Sequence, residues 1–193
     1  GEFYMAPNTQ FITTNTNTNP FPAFSTYNFA ANSTVNYNAV NTAQNIRNIG
    51  SPGYGAISVI ANSGAKSLTG TTYIQGALTL TSNANTSLTL AGHTLRLAGN
   101  TPITVGSSAT LTANDAGSTI HLEGSSAQTL TVSGTLTGNT ITNLVVDNTS
   151  GATLGTSPSV YTIGNLTINT GTTFSLGGRT MNLTGTYTNN GTL

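Results

Sequence analysis

The sequence predicts an all-β fold, a parallel β-helix (β-solenoid) wound right-handed from short strands with Gly/Asn turns. Three observations predict it: apolar and polar side chains alternate with period two, glycine and asparagine punctuate the alternation, and one long segment occurs twice. The alternation is seen in Leu78-Thr79-Leu80, Leu88-Thr89-Leu90, Leu95-Arg96-Leu97 and Ile103-Thr104-Val105. It returns in Ile120-His121-Leu122, Leu130-Thr131-Val132, Leu166-Thr167-Ile168 and Met181-Asn182-Leu183. Successive side chains of an extended chain point to opposite faces, so each run buries two side chains and turns the middle one outward. Between the runs, Ser82-Asn83-Ala84-Asn85, Ala91-Gly92 and Gly177-Gly178 supply residues that tolerate the positive φ of tight turns. No stretch carries a 3.6-residue period, and Glu, Lys and Arg are too scarce to clothe an exposed helix face.

The duplication sets the architecture. Gly76-Ala77-Leu78-Thr79-Leu80 matches Gly164-Asn165-Leu166-Thr167-Ile168, and the stretch from Ser87 to Gly99 matches Thr173 to Gly185. Upstream, Ala43-Gln44 pairs with Ala127-Gln128, Ile57-Ser58-Val59 with Leu144-Val145-Val146, and Asn62-Ser63-Gly64-Ala65 with Thr149-Ser150-Gly151-Ala152. Residues 33–99 and 118–185 therefore read as two copies of a unit of about 85 residues within a solenoid spanning 33–193. A unit that long is three or four coils of roughly 20–28 residues, with strands stacked in parallel about 4.8 Å apart. Apolar positions stay apolar between copies (Leu88 with Phe174, Leu95 with Met181), while His93 becomes Arg179 and Arg96 becomes Asn182. Such drift marks a core kept for packing under a surface with no chemical demand. The final Thr188-Asn189-Asn190-Gly191-Thr192-Leu193 enters another strand without a polar cap, which predicts an array that continues.

Composition narrows function. Thr, Asn, Ser and Gly supply 104 of the 193 residues, and charged side chains only 4%, against about 25% in ordinary soluble domains. The net charge of zero provides no field to draw in nucleic acid. The absence of cysteine removes disulfides, thiolate metal sites and cysteine catalysis. No apolar run approaches the ~20 residues of a membrane helix, so this segment is not membrane-spanning. Gly1-Glu2-Phe3 resembles a cloning-site remnant. Residues 4–32 form a low-complexity, aromatic segment in which Phe21, Phe24, Tyr27 and Phe29 follow Asn15-Thr16-Asn17-Thr18-Asn19-Pro20. Those aromatics are either a contact surface of the kind that suits sugar, or a cap over the open end of the first coil. The cap is the favoured reading, because an uncovered end is an aggregation liability.

Catalysis has little to work with. The charged inventory is Glu2, Arg47, Lys66, Arg96, Asp115, Glu123, Asp147 and Arg179, with His93 and His121. Glycosidases need two carboxylates about 5–9.5 Å apart, and Asp115 and Glu123 are the closest acids in sequence. Asp115 lies in a turn-like segment, Glu123 at a solvated strand edge, and His121 faces outward between Ile120 and Leu122. No metal set, cofactor or catalytic residue is expected, and the chain is read as a non-enzyme. Threonine is the strongest remaining feature. Thr79 with Thr81, Thr110 with Thr112, Thr129 with Thr131, and Thr135 with Thr137 place paired hydroxyls on strands, as does Thr140 with Thr142. Regular arrays of such pairs suit ice binding, but the spacing here is irregular, and threonine is in any case a good polar strand former.

The duplicated motif, Gly-x-Leu-Thr-Leu/Ile followed by Ser/Thr-Leu/Phe-x-Leu-x-Gly-x-Thr-Leu/Met-x-Leu-x-Gly, resembles the β-strand-repeat regions of very large bacterial surface proteins. These include adhesins exported by the type IX route and autotransporter-like passengers. The resemblance implies extracellular display at the bacterial cell surface, a stalk, fibre or adhesive role, and partners that are glycans, other cell surfaces or copies of the chain itself. It carries no catalytic residues over. The alternatives are a carbohydrate-active β-helix and an ice-binding solenoid.

Overall fold

The computed structural model describes residues 1–60 and 62–193, and among them the chain is strand, turn and loop with no helix. The ladders are parallel throughout. Three strand positions recur in order along the chain, giving a coil with three faces. The first face carries β2 (Gln10–Thr13), β4 (Thr34–Tyr37), β6 (Ala56–Val59), β9 (Leu78–Leu80), β12 (Ile103–Val105), β15 (Gln128–Val132), β17 (Ala152–Leu154) and β19 (Phe174–Ser175). The second carries β5 (Gln44–Ile46), β7 (Gly64–Leu68), β10 (Thr86–Thr89) and β13 (Thr110–Ala113). It continues into the leading halves of β16 (Thr135–Val146) and β18 (Val160–Ile168), then β20 (Thr180–Leu183). The third carries β8 (Thr72–Ile74), β11 (Thr94–Leu97), β14 (Thr119–Leu122), the trailing halves of β16 and β18, and β21 (Tyr187–Asn189). Because β16 and β18 turn the corner without a break, the second and third faces form one 11-stranded sheet. Eight strands on the first face make this a β-solenoid of about eight turns.

The step from coil to coil runs from 20 residues (Thr162 to Asn182) to 28 (Ala113 to Ile141, beyond the register shift), within the range that the repeat length implies. Alternation produces the core directly. Val35, Ile57, Leu78 and Ile103 stack inside the first face at 1% exposure or less. Leu95, Ile120, Leu144 and Leu166 stack inside the third face fully buried. Each such leucine or isoleucine contributes about 1.5–3 kcal/mol through removal from water, and its neighbours above and below are the same kind of residue.

The sequence duplication is out of phase with the coils. Leu78 lies on the first face and its counterpart Leu166 on the third; Leu88 lies on the second and Phe174 on the first; Leu95 lies on the third and Met181 on the second. Each matched segment thus advances three coils and two further strands, arriving one face short of its starting face. The unit that repeats is the strand with its corner, and any of the three faces accepts it. Glycine shows why. At Gly76, on the third-to-first corner, an added Cβ would sit 2.8 Å from the Gly55 carbonyl oxygen. At its counterpart Gly164, on the second-to-third corner, the Cβ would run into the Thr142 carbonyl oxygen. Both corners bring one coil's backbone against the next, so both exclude a side chain.

The segment before Ser33 also winds into the solenoid. β1 (Glu2–Met5) pairs with β3 (Thr26–Phe29), and β2 pairs with β4. The Asn/Thr-rich tract between β2 and β3 runs along β5 without forming a strand. Asn45 N donates to the Thr18 carbonyl at 2.6 Å, Gln44 Nε2 to that of Asn15 at 2.5 Å, and Arg47 Nε to that of Phe21 at 3.2 Å. No helix among the described residues is long and apolar enough to cross a membrane.

Candidate functional site

Of the aromatic residues singled out in the sequence, Phe21 and Phe29 are buried, Tyr27 is half-buried and Phe24 is 38% exposed. Phe21 packs 6.0 Å from Phe29 and 5.9 Å from Tyr54 of a later coil, with Phe3 and Phe11 against it at 5.5 and 5.2 Å. These rings fill the first turns of the solenoid, and Phe24 alone of the four presents a substantial surface.

The threonine pairs divide between two faces. Thr79, Thr129 and Thr131 point outward on the first face, where Asn36, Ser58, Thr79, Thr104 and Thr131 form one column in register. Thr81 follows β9 and spends its hydroxyl on the Val59 carbonyl at 3.1 Å. On the second face Thr110 stacks on Thr135, and the hydroxyls of Thr112 and Thr137 are hydrogen-bonded at 2.8 Å. With Ser87 and Thr89 below them they make a patch two columns wide and three coils deep. Beyond Thr137 the patch ends where Gly138 and Asn139 take positive φ and the register between β13 and β16 shifts. A groove of about 310 Å³ opens on the first face between β12 and β15, walled by Asn100, Thr101, Thr104, Thr129, Thr131 and Ser133 with Ile103 and Val105 beneath.

Coiling brings together charged residues that lie far apart in the sequence. On the outside of the third face Tyr73, Arg96 and His121 occupy one column on β8, β11 and β14. Glu123 and Asp147 follow β14 and β16 one coil apart, at the third-to-first corner. The Arg96 guanidinium is ion-paired to the Glu123 carboxylate and lies 5.2 Å from the centre of the Tyr73 ring. His121 Nε2 is 3.5 Å from Asp147 Oδ2. His121 occupies an outward strand position, as the alternation predicts, yet it is only 9% exposed because these side chains cover it. Burial and the nearby Arg96 cation hold its imidazole below the ordinary value of 6.5, against the opposing pull of Glu123 and Asp147. Nuclear magnetic resonance titration is therefore expected to place His121 below 6.5, and Arg96→Gln is expected to raise it, since that change removes a cation and frees an anion. A His121 pKa at or above 6.5 would contradict this arrangement.

Asp115 does other work. Its carboxylate accepts from Thr89 Oγ1 at 2.8 Å and from the Ala91 N–H at 3.2 Å, so it ties a turn to the coil before it, at a different corner from Glu123. The nearest acids in sequence are thus not the acids that stack. Glu123 and Asp147 are 24 positions apart, and Arg96 and His121 are 25 apart in direct register. One-coil spacing is the signal that finds both. Among the described residues no three His, Asp or Glu side chains converge as a metal site. No family model matches the chain, and neither a curated protein nor a solved structure is similar to it.

Proposed function

We propose that this chain is a non-catalytic structural and adhesive segment of a bacterial extracellular surface protein, holding glycans or neighbouring surfaces by many weak contacts. The observation that carries this reading is the outward column Ser58, Thr79, Thr104 and Thr131, which extends the largely buried Asn36. It repeats hydroxyl or amide groups at the strand spacing of about 4.8 Å on a stiff rod, and regular spacing lets individually weak hydrogen bonds add as avidity. The scarcity of charge, 4% of residues, suits neutral hydroxylated partners rather than ionic ones. The sequence resemblance to surface-protein repeats supports the same reading.

The experiment is adhesion of protein-coated beads to a glycan array, comparing the natural chain with a triple variant Thr79→Val, Thr104→Val, Thr131→Val. Valine keeps the shape and strand preference while deleting the hydroxyls. Retention on neutral glycans is expected, with most of it lost in the variant and no new reducing ends released from any polysaccharide. Blank arrays for the natural chain, or release of reducing ends, would sink the proposal.

A further inference from the structure

Apart from Glu2 and His93, the ionisable Asp, Glu, Lys, Arg and His side chains of this chain fall into two kinds. Arg47, Lys66, Asp115 and Arg179 each hold a backbone group: Arg47 the Phe21 carbonyl, Lys66 the Thr42 carbonyl, Asp115 the Ala91 N–H, and Arg179 the Gly177 carbonyl. Arg96, His121, Glu123 and Asp147 hold none, yet four of the ten ionisable Asp, Glu, Lys, Arg and His side chains gather here on three consecutive coils. Their polar atoms are also incompletely matched. Among the described residues His121 Nε2 and Arg96 Nε are buried without a hydrogen-bond partner, a situation that costs about 1–3 kcal/mol for each group. Fold stability does not explain keeping such groups on the outside of a strand, where uncharged residues such as Ser58, Thr79 and Thr104 serve on the first face.

The chemistry of the cluster selects its ligand. With Arg96 paired to Glu123 and the imidazole neutral, Asp147 leaves the cluster with one net negative charge, which disfavours phosphates and uronates. The Asp147 carboxylate is 44% exposed and only accepts hydrogen bonds, so it is the reachable member of the pair, with the largely covered imidazole behind it. A hydroxyl group supplies the donor that this carboxylate lacks. The groove walled by Thr101, Thr104, Thr129 and Thr131 lies just round the corner, on the same two coils that carry Arg96 and His121. The corner between them is held by Gln128, whose Nε2 donates to the carbonyls of Leu97 and Gly99, both at 2.9 Å.

We propose that Asp147, backed by His121, and the Thr104–Thr131 groove form one binding site for a neutral oligosaccharide lying across the third-to-first corner. The site rests on the adhesive reading and gives it a ligand class and an address.

The test uses the whole chain with cellohexaose and mannohexaose as neutral probes and hexagalacturonate as the acidic one. Binding is followed by calorimetry and by the imidazole resonances, assigned with His93→Gln because His93 is the other histidine. At least one neutral hexaose is expected to bind and to shift the His121 resonance. Asp147→Asn, at an exposed position, is expected to weaken it about tenfold or more, the loss of one charge-assisted hydrogen bond. Thr131→Val is expected to weaken the same probe, since the groove is part of the site. Failure of both neutral probes to bind, or tighter binding of hexagalacturonate, overturns the proposal. Neutral-probe binding that leaves the His121 resonance and the Asp147→Asn affinity unchanged overturns this site. Bead adhesion surviving Asp147→Asn would then leave the adhesive reading standing, whereas blank arrays would remove both.

Discussion

Unfolding of this protein in urea is expected to become harder as pH rises from 8 to 10, and Lys66→Met is expected to abolish that rise. Lys66 sits inside the second face, stacked between Gln44 and Leu88, with no exposed surface. Its ammonium donates to the carbonyls of Thr42, at 2.8 Å, and Ser63. Burial nevertheless pushes its pKa from 10.5 down to about 8, because desolvation disfavours the charged form. A folded-state pKa below the unfolded value means that the unfolded chain binds more protons between about 8 and 10.5. Stability therefore climbs with pH across that window and is flat for this group below it. At about 1.4 kcal/mol per pKa unit, the full effect is about 3 kcal/mol.

Tyrosine limits the gain. Burial raises the phenols of Tyr37 and Tyr161 to about 12 and that of Tyr54 well above 10. Their contribution is present below pH 10 and is lost above it, as the unfolded chain sheds its phenolic protons first. A stability maximum near pH 10 is the expected result. A urea midpoint that stays level from pH 8 to 10, or a rise that persists in Lys66→Met, would show that Lys66 is not titrating in the interior.

Gly164→Ala is expected to destabilise the solenoid by about 3 kcal/mol, at the upper end of what overpacking costs. The new Cβ would fall on the Thr142 carbonyl oxygen, with the Thr142 carbonyl carbon and Cα at 3.2 and 3.3 Å. All three are backbone atoms of the neighbouring coil, so relief requires parting β16 from β18, which are paired on both sides of the corner. Gly171→Ala provides the comparison. Gly171 has φ +78° but open space around it, so alanine there meets only the left-handed penalty of about 1–2 kcal/mol. Equal losses at the two sites, measured by urea unfolding, would mean that corner contact does not govern where glycine is required.

The fold was legible because its cause is local. Leu78-Thr79-Leu80 states in three residues which side chains go in and which go out, and Gly76 states that a corner precedes them. Repetition at short intervals then allows only a stack of coils. Phe21 shows the limit of such reading. Its crowding with Phe24, Tyr27 and Phe29 was evident in the sequence, but its packing on Tyr54 depends on how the first turns close around it. The candidate site was less legible still. Asp115 and Glu123 drew attention as neighbours in sequence, whereas the structure ties Glu123 to Arg96 and stacks it beside Asp147.

The sequence by itself determined a parallel all-β solenoid, its coil length and the inward or outward sense of nearly every strand residue, since alternation depends only on the pleat of an extended chain. Only the tertiary structure decided which of the three faces each strand occupies. The same strand-and-corner unit fits all three, and coil steps between 20 and 28 residues shift the phase as they accumulate. That phase turns the two sequence copies onto different faces. It also carries Arg96, His121, Glu123 and Asp147 to one corner, because residues on separate coils meet only when the number of residues between them completes a turn.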